Sequence, residues 1–442
     1  MAITQRCITL CFAAALLGNA GYIHVCYGDE FTADIETVRK LLQQDAAFTV
    51  TEREQAYAVL EPLSKRASDI STAAFQLEVS RIFALAHNGH TMLVAGLWPS
   101  QFNRIPVRTH VFADGLFIID ADEPTLIGEK ILAIDDHPVD ELRQAFAQYW
   151  GAVPGKRDDW LGYWLESAEL LHAAGLAEKP DVLTLRVQNS KGKISEVSLP
   201  ATVQPPAHGR YTFFSHSRLV ELLPANLSPR IPTPLYLAEP DKLFRYASLP
   251  DLNAFYLQLR YNTHAAGQRL DSSFIDAVLA AIAAQKPQHI IVDLRLNSGG
   301  DLNNTRALMQ TLPTMLPPNG KIFAITSGRT FSAGIASLGY LKQAGGDRVV
   351  IVGEPIGDAL EYWAEGNLVE LPVSKAEVLI ATERHNYVTG CPEDDCHGSI
   401  LKHPIRVQSL APDISAPLRY QDYQHGIDPA LRAIAAALKT TL

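Results

Sequence analysis

Apolar residues recur at helical spacing through Val38, Leu41 and Leu42 and again from Ala73 to Ala86, which predicts helices from about Thr32 to Ala86. Asn88-Gly89 breaks that pattern, and Thr91–Leu97 reads as a strand. From about Pro106 the period shortens. Val107–Phe112, Leu116–Ile119 and Ile131–Ile134 read as strands, and two more between Asp181 and Leu199 meet at a turn, Asn189-Ser190-Lys191-Gly192. Val139–Tyr149 reads as a helix, and Trp160–Leu176 as an inserted helical pair. Residues 202–245 are proline-rich and read as linker and edge strands. Beyond Ala247 strand and helix alternate: strands Asn253–Leu259, His289–Leu294, Lys321–Thr326 and Arg348–Val352, with helices Asp271–Ala284, Asn303–Leu316 and Ser332–Gln343 between them. Such alternation predicts an α/β core with mostly parallel strands.

A chain of 442 residues is long enough for two or three domains, and its balance of 47% apolar to 19% charged residues is that of a folded protein. Its net charge of -10 gives no general attraction to nucleic acid or anionic lipid. Arg6, the apolar run Cys7–Leu17 and the small residues Gly18-Asn19-Ala20 follow the order of an export signal, so residues 1–20 are expected to be removed and the protein to be periplasmic or secreted. The alternative is an N-terminal core helix. The run is too short to span a bilayer comfortably, and no integral membrane span is expected. Cys391 and Cys396 lie five residues apart in a polar turn that suits a local disulfide; a zinc site with His385 and His397 is the alternative.

Two segments of the α/β region carry candidate chemistry. Strand Ile290–Asp293 runs into Leu294-Arg295-Leu296-Asn297-Ser298-Gly299-Gly300, whose paired glycines leave backbone N–H groups unshielded, as an oxyanion hole requires. Read alone, this is a strand-to-helix turn. The second is Thr330-Phe331-Ser332-Ala333-Gly334, where a serine opens a helix beside small residues. Its hydroxyl reads either as a nucleophile or as a helix N-cap.

These two motifs, with Val352-Gly353-Glu354-Pro355 after them and Gly426-Ile427-Asp428-Pro429 near the end, resemble the C-terminal-processing and tricorn-type serine peptidase family. Gly128 to Val139 is similar to the strand-turn run of PDZ-type domains. The resemblance implies a crotonase-like (ClpP-like) α/β core over residues 203–442, preceded by a helical domain over 32–100 and a PDZ-like domain over 104–202. It implies hydrolysis of peptide bonds in a polypeptide or peptide substrate, no cofactor and no metal, with Ser332 as nucleophile and Gly299, Gly300 and Ala333 as oxyanion donors. Asp293 and Arg295 are expected to brace the loop. One branch of the family places a lysine after Gly-Glu-Pro; that loop has none here, and Lys342 lies too far along the helix. The other branch uses a histidine in an "Asp-Gly-His-Thr" turn, matched here by Asn88-Gly89-His90-Thr91. His90 is thus the expected base, with Glu361 or Glu365 as the orienting acid and Glu354 as a third candidate. The alternatives are a catalytically inactive peptide- or ligand-binding protein on the same fold and an acyl-CoA enzyme, which shares the oxyanion chemistry.

Overall fold

A computed structural model describes residues 31–202, 233–264 and 267–440, together with a short pairing of Ile8–Thr9 with His24–Val25. The expected export signal, apart from Ile8–Thr9, and the proline-rich residues 203–232 lie outside the described residues.

The helices α1 (Thr32–Gln44), α2 (Val50–Lys65) and α3 (Thr72–Ala84) open the described chain. Thr49 and Glu52 form a reciprocal capping box at the start of α2, and Ser71 caps α3. The expected strand Thr91–Leu97 reduces to β1 (Met92–Leu93), because Pro99 belongs to the first turn of a short helix, Trp98–Gln101. An antiparallel sheet follows in the order β2 (Val107–Phe112), β3 (Gly115–Ala121), β4 (Lys130–Ile134), β5 (Val182–Gln188) and β6 (Ile194–Pro200). Between β4 and β5 stand α4 (Val139–Phe146), α5 (Pro154–Leu165) and α6 (Ala168–Ala173); α5 begins earlier than the apolar pattern predicts because Pro154 opens its first turn. Helices and sheet share one core, in which Val38, Phe75, Phe83, Trp98, Ile118 and Trp164 are buried.

The second large sheet runs β7 (Phe244–Leu249), β8 (Ala254–Leu259), β9 (His289–Asp293), β10 (Ile322–Thr326), β11 (Val349–Gly353) and β16 (Ile414–Ser415). Only β7 is antiparallel to its neighbour. The expected order of strands and helices holds here, with α7 (Ser272–Gln285), α8 (Asn303–Thr311) and α9 (Ala333–Gly345) as the crossovers. The pleat divides the strand residues between two cores. Ile290 and Val292 face the helices α7–α9, and Ile291 faces the terminal helix α10 (Pro429–Ala437).

Between β11 and β16 the chain forms two small pairings. Strand β12 (Glu361–Ala364) pairs with β15 (Glu383–Asn386), and β13 (Leu368–Glu370) pairs with β14 (Glu377–Leu379). Strand β14 also accepts β1, with Val378 opposite Leu93. That pairing carries the turn just before β1 to the carboxyl ends of the parallel strands, where open α/β sheets hold their sites. No helix among the described residues is long and apolar enough to cross a membrane.

Candidate active site

The loop leaving β10 is fixed from below. Thr330 Oγ1 donates to the carbonyl of Leu294 at 2.8 Å, and Phe331 N–H donates to the carbonyl of Asn297 at 3.0 Å. Gly334 leaves no room for a Cβ, which would lie 2.8 Å from Asn297 Oδ1. The two motifs read from the sequence are therefore one object, with Asn297 wedged beneath the first turn of α9. Asn262 extends the network by donating to Ala333 O and Ser337 Oγ, both at 2.8 Å.

Ser332 stands at the N-cap position of α9, yet its side chain makes no capping hydrogen bond. Its backbone sits at φ +51°, ψ -126°, a region costing a non-glycine residue about 1–3 kcal/mol. A capping serine has no need of that conformation. A Cβ on Gly299 would lie 2.7 Å from Ser332 Cβ and 3.2 Å from its Oγ, so this glycine is required for the serine to sit where it does. Gly299 and Gly300 also have φ of +115° and +116°. The two differ in what their N–H groups do. That of Gly299 donates to Asn297 Oδ1 at 3.0 Å. Those of Gly300 and of Ala333, the first residue of α9, have no partner among the described residues.

The His90 turn is held mainly by distant residues, with Asn88 and Thr91 also bonded to each other inside it. The Asn88 side chain accepts from Trp363 N–H at 3.1 Å and donates to Trp363 O at 3.0 Å, acting as an extra peptide group against β12. An aspartate could accept but not donate there. Asparagine rather than aspartate at this position thus serves the clasp. Thr91 donates to Asp45 at 2.9 Å, and Trp150 Nε1 donates to Gly89 O at 3.1 Å. Burial pushes the Asp45 carboxyl up to about 6, partly offset by the hydrogen bonds it accepts.

His90 itself is 8% exposed and packed between Phe331 and Tyr362, with ring centroids 4.2 and 5.1 Å away. Neither of its ring nitrogens has a hydrogen-bond partner. The carboxylate beside it is that of Asp358, whose Oδ2 lies 3.6 Å from Nδ1 and is itself unbonded, while Oδ1 accepts from Ala359 N–H. A Cβ on Gly89 would lie 2.8 Å from that Oδ2 and 2.9 Å from the Phe331 ring, so the Asn-Gly-His turn needs its glycine for this approach.

The expected acids stand elsewhere. Glu361 is exposed and paired with Arg384, Glu365 lies 3.4 Å from His385, and Glu354 accepts from Leu418 N–H. Asp358 closes the same Gly-Glu-Pro loop, but its spacing distinguishes it from none of these. The preceding Gly357 leaves no room for a Cβ against the Gly328 carbonyl, and its N–H donates to Thr330 O at 2.8 Å, so this loop packs directly on the serine loop.

Asp293 and Arg295 brace the loop. Arg295 forms a two-point pair with Asp428 at 2.9 Å and contacts Asp293, which also accepts from Tyr256. Asp428 in turn caps α10. A residue the sequence does not flag is Lys156, on α5. It is buried, its Nζ lies 4.4 Å from the Phe331 ring centroid, and burial pushes its ammonium down to about 8. Beside it Arg329 pairs with Asp159 at 2.6 Å, tying α5 to the serine loop. A cavity of about 820 Å³ opens next to these groups, with Phe112, Tyr236, Leu296, Arg329, Glu354 and Asp358 in its wall.

Among solved structures, mature CPAF complexed with lactacystin superposes on 93% of this chain and 97% of its own, with a TM-score of 0.59 at 13% identity. The chain has the fold of CPAF. Mature CPAF without that ligand gives a TM-score of 0.55 at 13% identity over 93% of this chain and 95% of its own. A photosystem II D1 C-terminal processing protease gives 0.37 at 12% identity, over 92% of this chain and 99% of its own. No family model matches the chain, and no curated protein matches it. With CPAF covered almost end to end, the likeness takes in both large sheets rather than one of them.

Proposed function

We propose that the protein is a serine peptidase with Ser332 as nucleophile, His90 as general base and Asp358 as the acid that orients it. The observation carrying this reading is Ser332 itself: a serine in a costly backbone conformation, making no capping bond, pressed against Gly299. In this mechanism Asp358 faces Nδ1 of His90 and leaves Nε2 to take the Ser332 proton as Oγ attacks the substrate carbonyl. The gap of 3.6 Å between His90 and Asp358 exceeds a hydrogen bond and closes as substrate enters, as loose resting geometries do. The N–H groups of Gly300 and Ala333 then hold the oxyanion at the positive end of α9. His90 returns its proton to the leaving amine, and water hydrolyses the acyl-enzyme.

The parallel sheet with α7–α9 supports a crotonase-like core, and the β2–β6 sheet a PDZ-like unit, within boundaries near 203–442 and 104–202. The Cys391–Cys396 bridge and the order of charge, apolar run and small residues at the N-terminus support an exported protein, periplasmic or secreted, acting on extracytoplasmic polypeptides. Labelling of the full chain by a fluorophosphonate, together with hydrolysis of an unfolded protein substrate, tests the assignment. Ser332→Ala is expected to abolish labelling and to lower kcat by about 10³-fold or more. Undiminished turnover in that variant defeats the assignment, and a wild-type chain that neither labels nor hydrolyses favours a binding protein on the same fold.

A further inference from the structure

Spacing along the chain groups Cys391, Cys396, His385 and His397 as a possible zinc set. In the folded chain the two cysteines are bonded to each other, and the two histidines converge on Glu365 instead. One donor atom from each of Glu365, His385 and His397 lies within 4.8 Å of the other two. We propose that these three side chains form a binding site for a zinc-like divalent cation, distinct from the Ser332 site.

The decisive atom is Nε2 of His385. The residue is 2% exposed, and this nitrogen has no hydrogen-bond partner although Glu365 Oε1 lies 3.4 Å away. A buried polar atom left unpaired costs about 1–3 kcal/mol and calls for an explanation. Two donors on one tetrahedral zinc, each bonded at about 2.0–2.1 Å, stand about 3.4 Å apart. The Nε2–Oε1 separation is poor for a hydrogen bond and right for the edge of such a tetrahedron. His397 is the more exposed of the two histidines, and with its Nδ1 engaged by Glu383 it offers Nε2 to the ion.

The outer contacts fit as well. Nδ1 of His385 meets the Tyr387 hydroxyl at 3.1 Å, and Nδ1 of His397 meets the Glu383 carboxylate at 2.6 Å. A metal-bound imidazole uses its second nitrogen in this way, which fixes ring orientation and raises donor strength. Glu365 reaches the site from a backbone at φ +57° and is partly open to solvent, leaving a fourth position for water. Two imidazoles and one carboxylate select a transition-series cation over calcium or magnesium. The disulfide loop supplies the last element. His397 follows Cys396, and its N–H donates to Arg384 O at 3.0 Å, so the bridge holds this histidine against β15. A bound cation would rivet β12 to β15 at the outer end of a ring stack in which Tyr362 lies between His90 and His385.

The test uses the tag-free full chain, stripped with chelator and kept non-reducing, titrated with Zn²⁺ by calorimetry and with Co²⁺ by visible absorption. One ion per chain, a tetrahedral Co²⁺ spectrum and a rise in Tm on zinc addition are expected. His397→Ala and Glu365→Gln should each weaken binding by about a hundredfold and Glu383→Gln by about tenfold, while the Tm in chelator stays at the wild-type value. Absence of stoichiometric binding overturns the proposal, as does binding unchanged in His397→Ala. Binding that appears only under reductant assigns the ion to the cysteines, and binding lost in His90→Ala but kept in His397→Ala assigns it to the serine site; either result also overturns it. None of these outcomes depends on whether the chain hydrolyses peptides.

Discussion

The loop that presents Ser332 and the turn that presents His90 are built on opposite plans. The serine loop is shaped by its own backbone: a positive φ, a glycine at 299 that alone fits beneath it, and an asparagine from the neighbouring strand end. The histidine turn has little local structure of its own. It is held by Trp363, Asp45 and Trp150, and its carboxylate comes from the loop after β11. The proposed nucleophile is thus set by conformation and the proposed base by assembly. Damage to the first should remove chemistry while sparing the fold, whereas damage to the second should disturb both.

That contrast is sharpest at Asp358, which belongs to the assembly yet accepts its one hydrogen bond among the described residues from Ala359 in its own loop. Asp358→Asn is expected to lower kcat by about 10²–10⁴-fold with little change in Tm, measured by steady-state hydrolysis beside thermal melts. Equal activity in the variant would break the pairing of His90 with Asp358. Asp45 probes the support of the turn. Its folded carboxyl titrates near 6 rather than 3.8, mainly through burial. Between those values the folded state keeps a proton that the unfolded state has released, so stability falls as pH rises through about 4 to 6. Asp45→Asn removes this titration. Its stability relative to wild type should therefore rise by about 2–3 kcal/mol between pH 4 and pH 7, read from urea unfolding at both. The smallest effect is expected at Asn88→Asp, which swaps the amide for a carboxylate of the same shape. It deletes the donor to Trp363 and should cost about 1–2 kcal/mol, with a several-fold loss of kcat as the turn loosens. A gain in activity there would show that the clasp is dispensable.

The same contrast explains what the sequence reveals. The parallel sheet is legible because its strands are uniformly apolar and its helices begin and end at clear signals. Ser332 and the glycine pair are legible because a local backbone shape demands small residues in a fixed order. Asp358 is not, since three other acids share its stretch and only the tertiary fold brings it beside His90. Lys156 is hidden for a like reason: nothing about a lysine at the start of α5 says that it ends beneath Phe331. Gly299 and Gly300 read as equals in the sequence, and only the side chain of Asn297 separates the occupied N–H from the unoccupied one.

The ion pair between Arg295 and Asp428 spans 133 residues and joins the strand end that feeds the glycine pair to the cap of α10. It has a consequence in time. A chain still being synthesised possesses Ser332 before it possesses Asp358, and Asp358 before Asp428. Until the last of these is made, Arg295 lacks its two-point partner and rests on Asp293 alone. The order of residues therefore makes the brace beneath the glycine pair the last part of the proposed site to be completed.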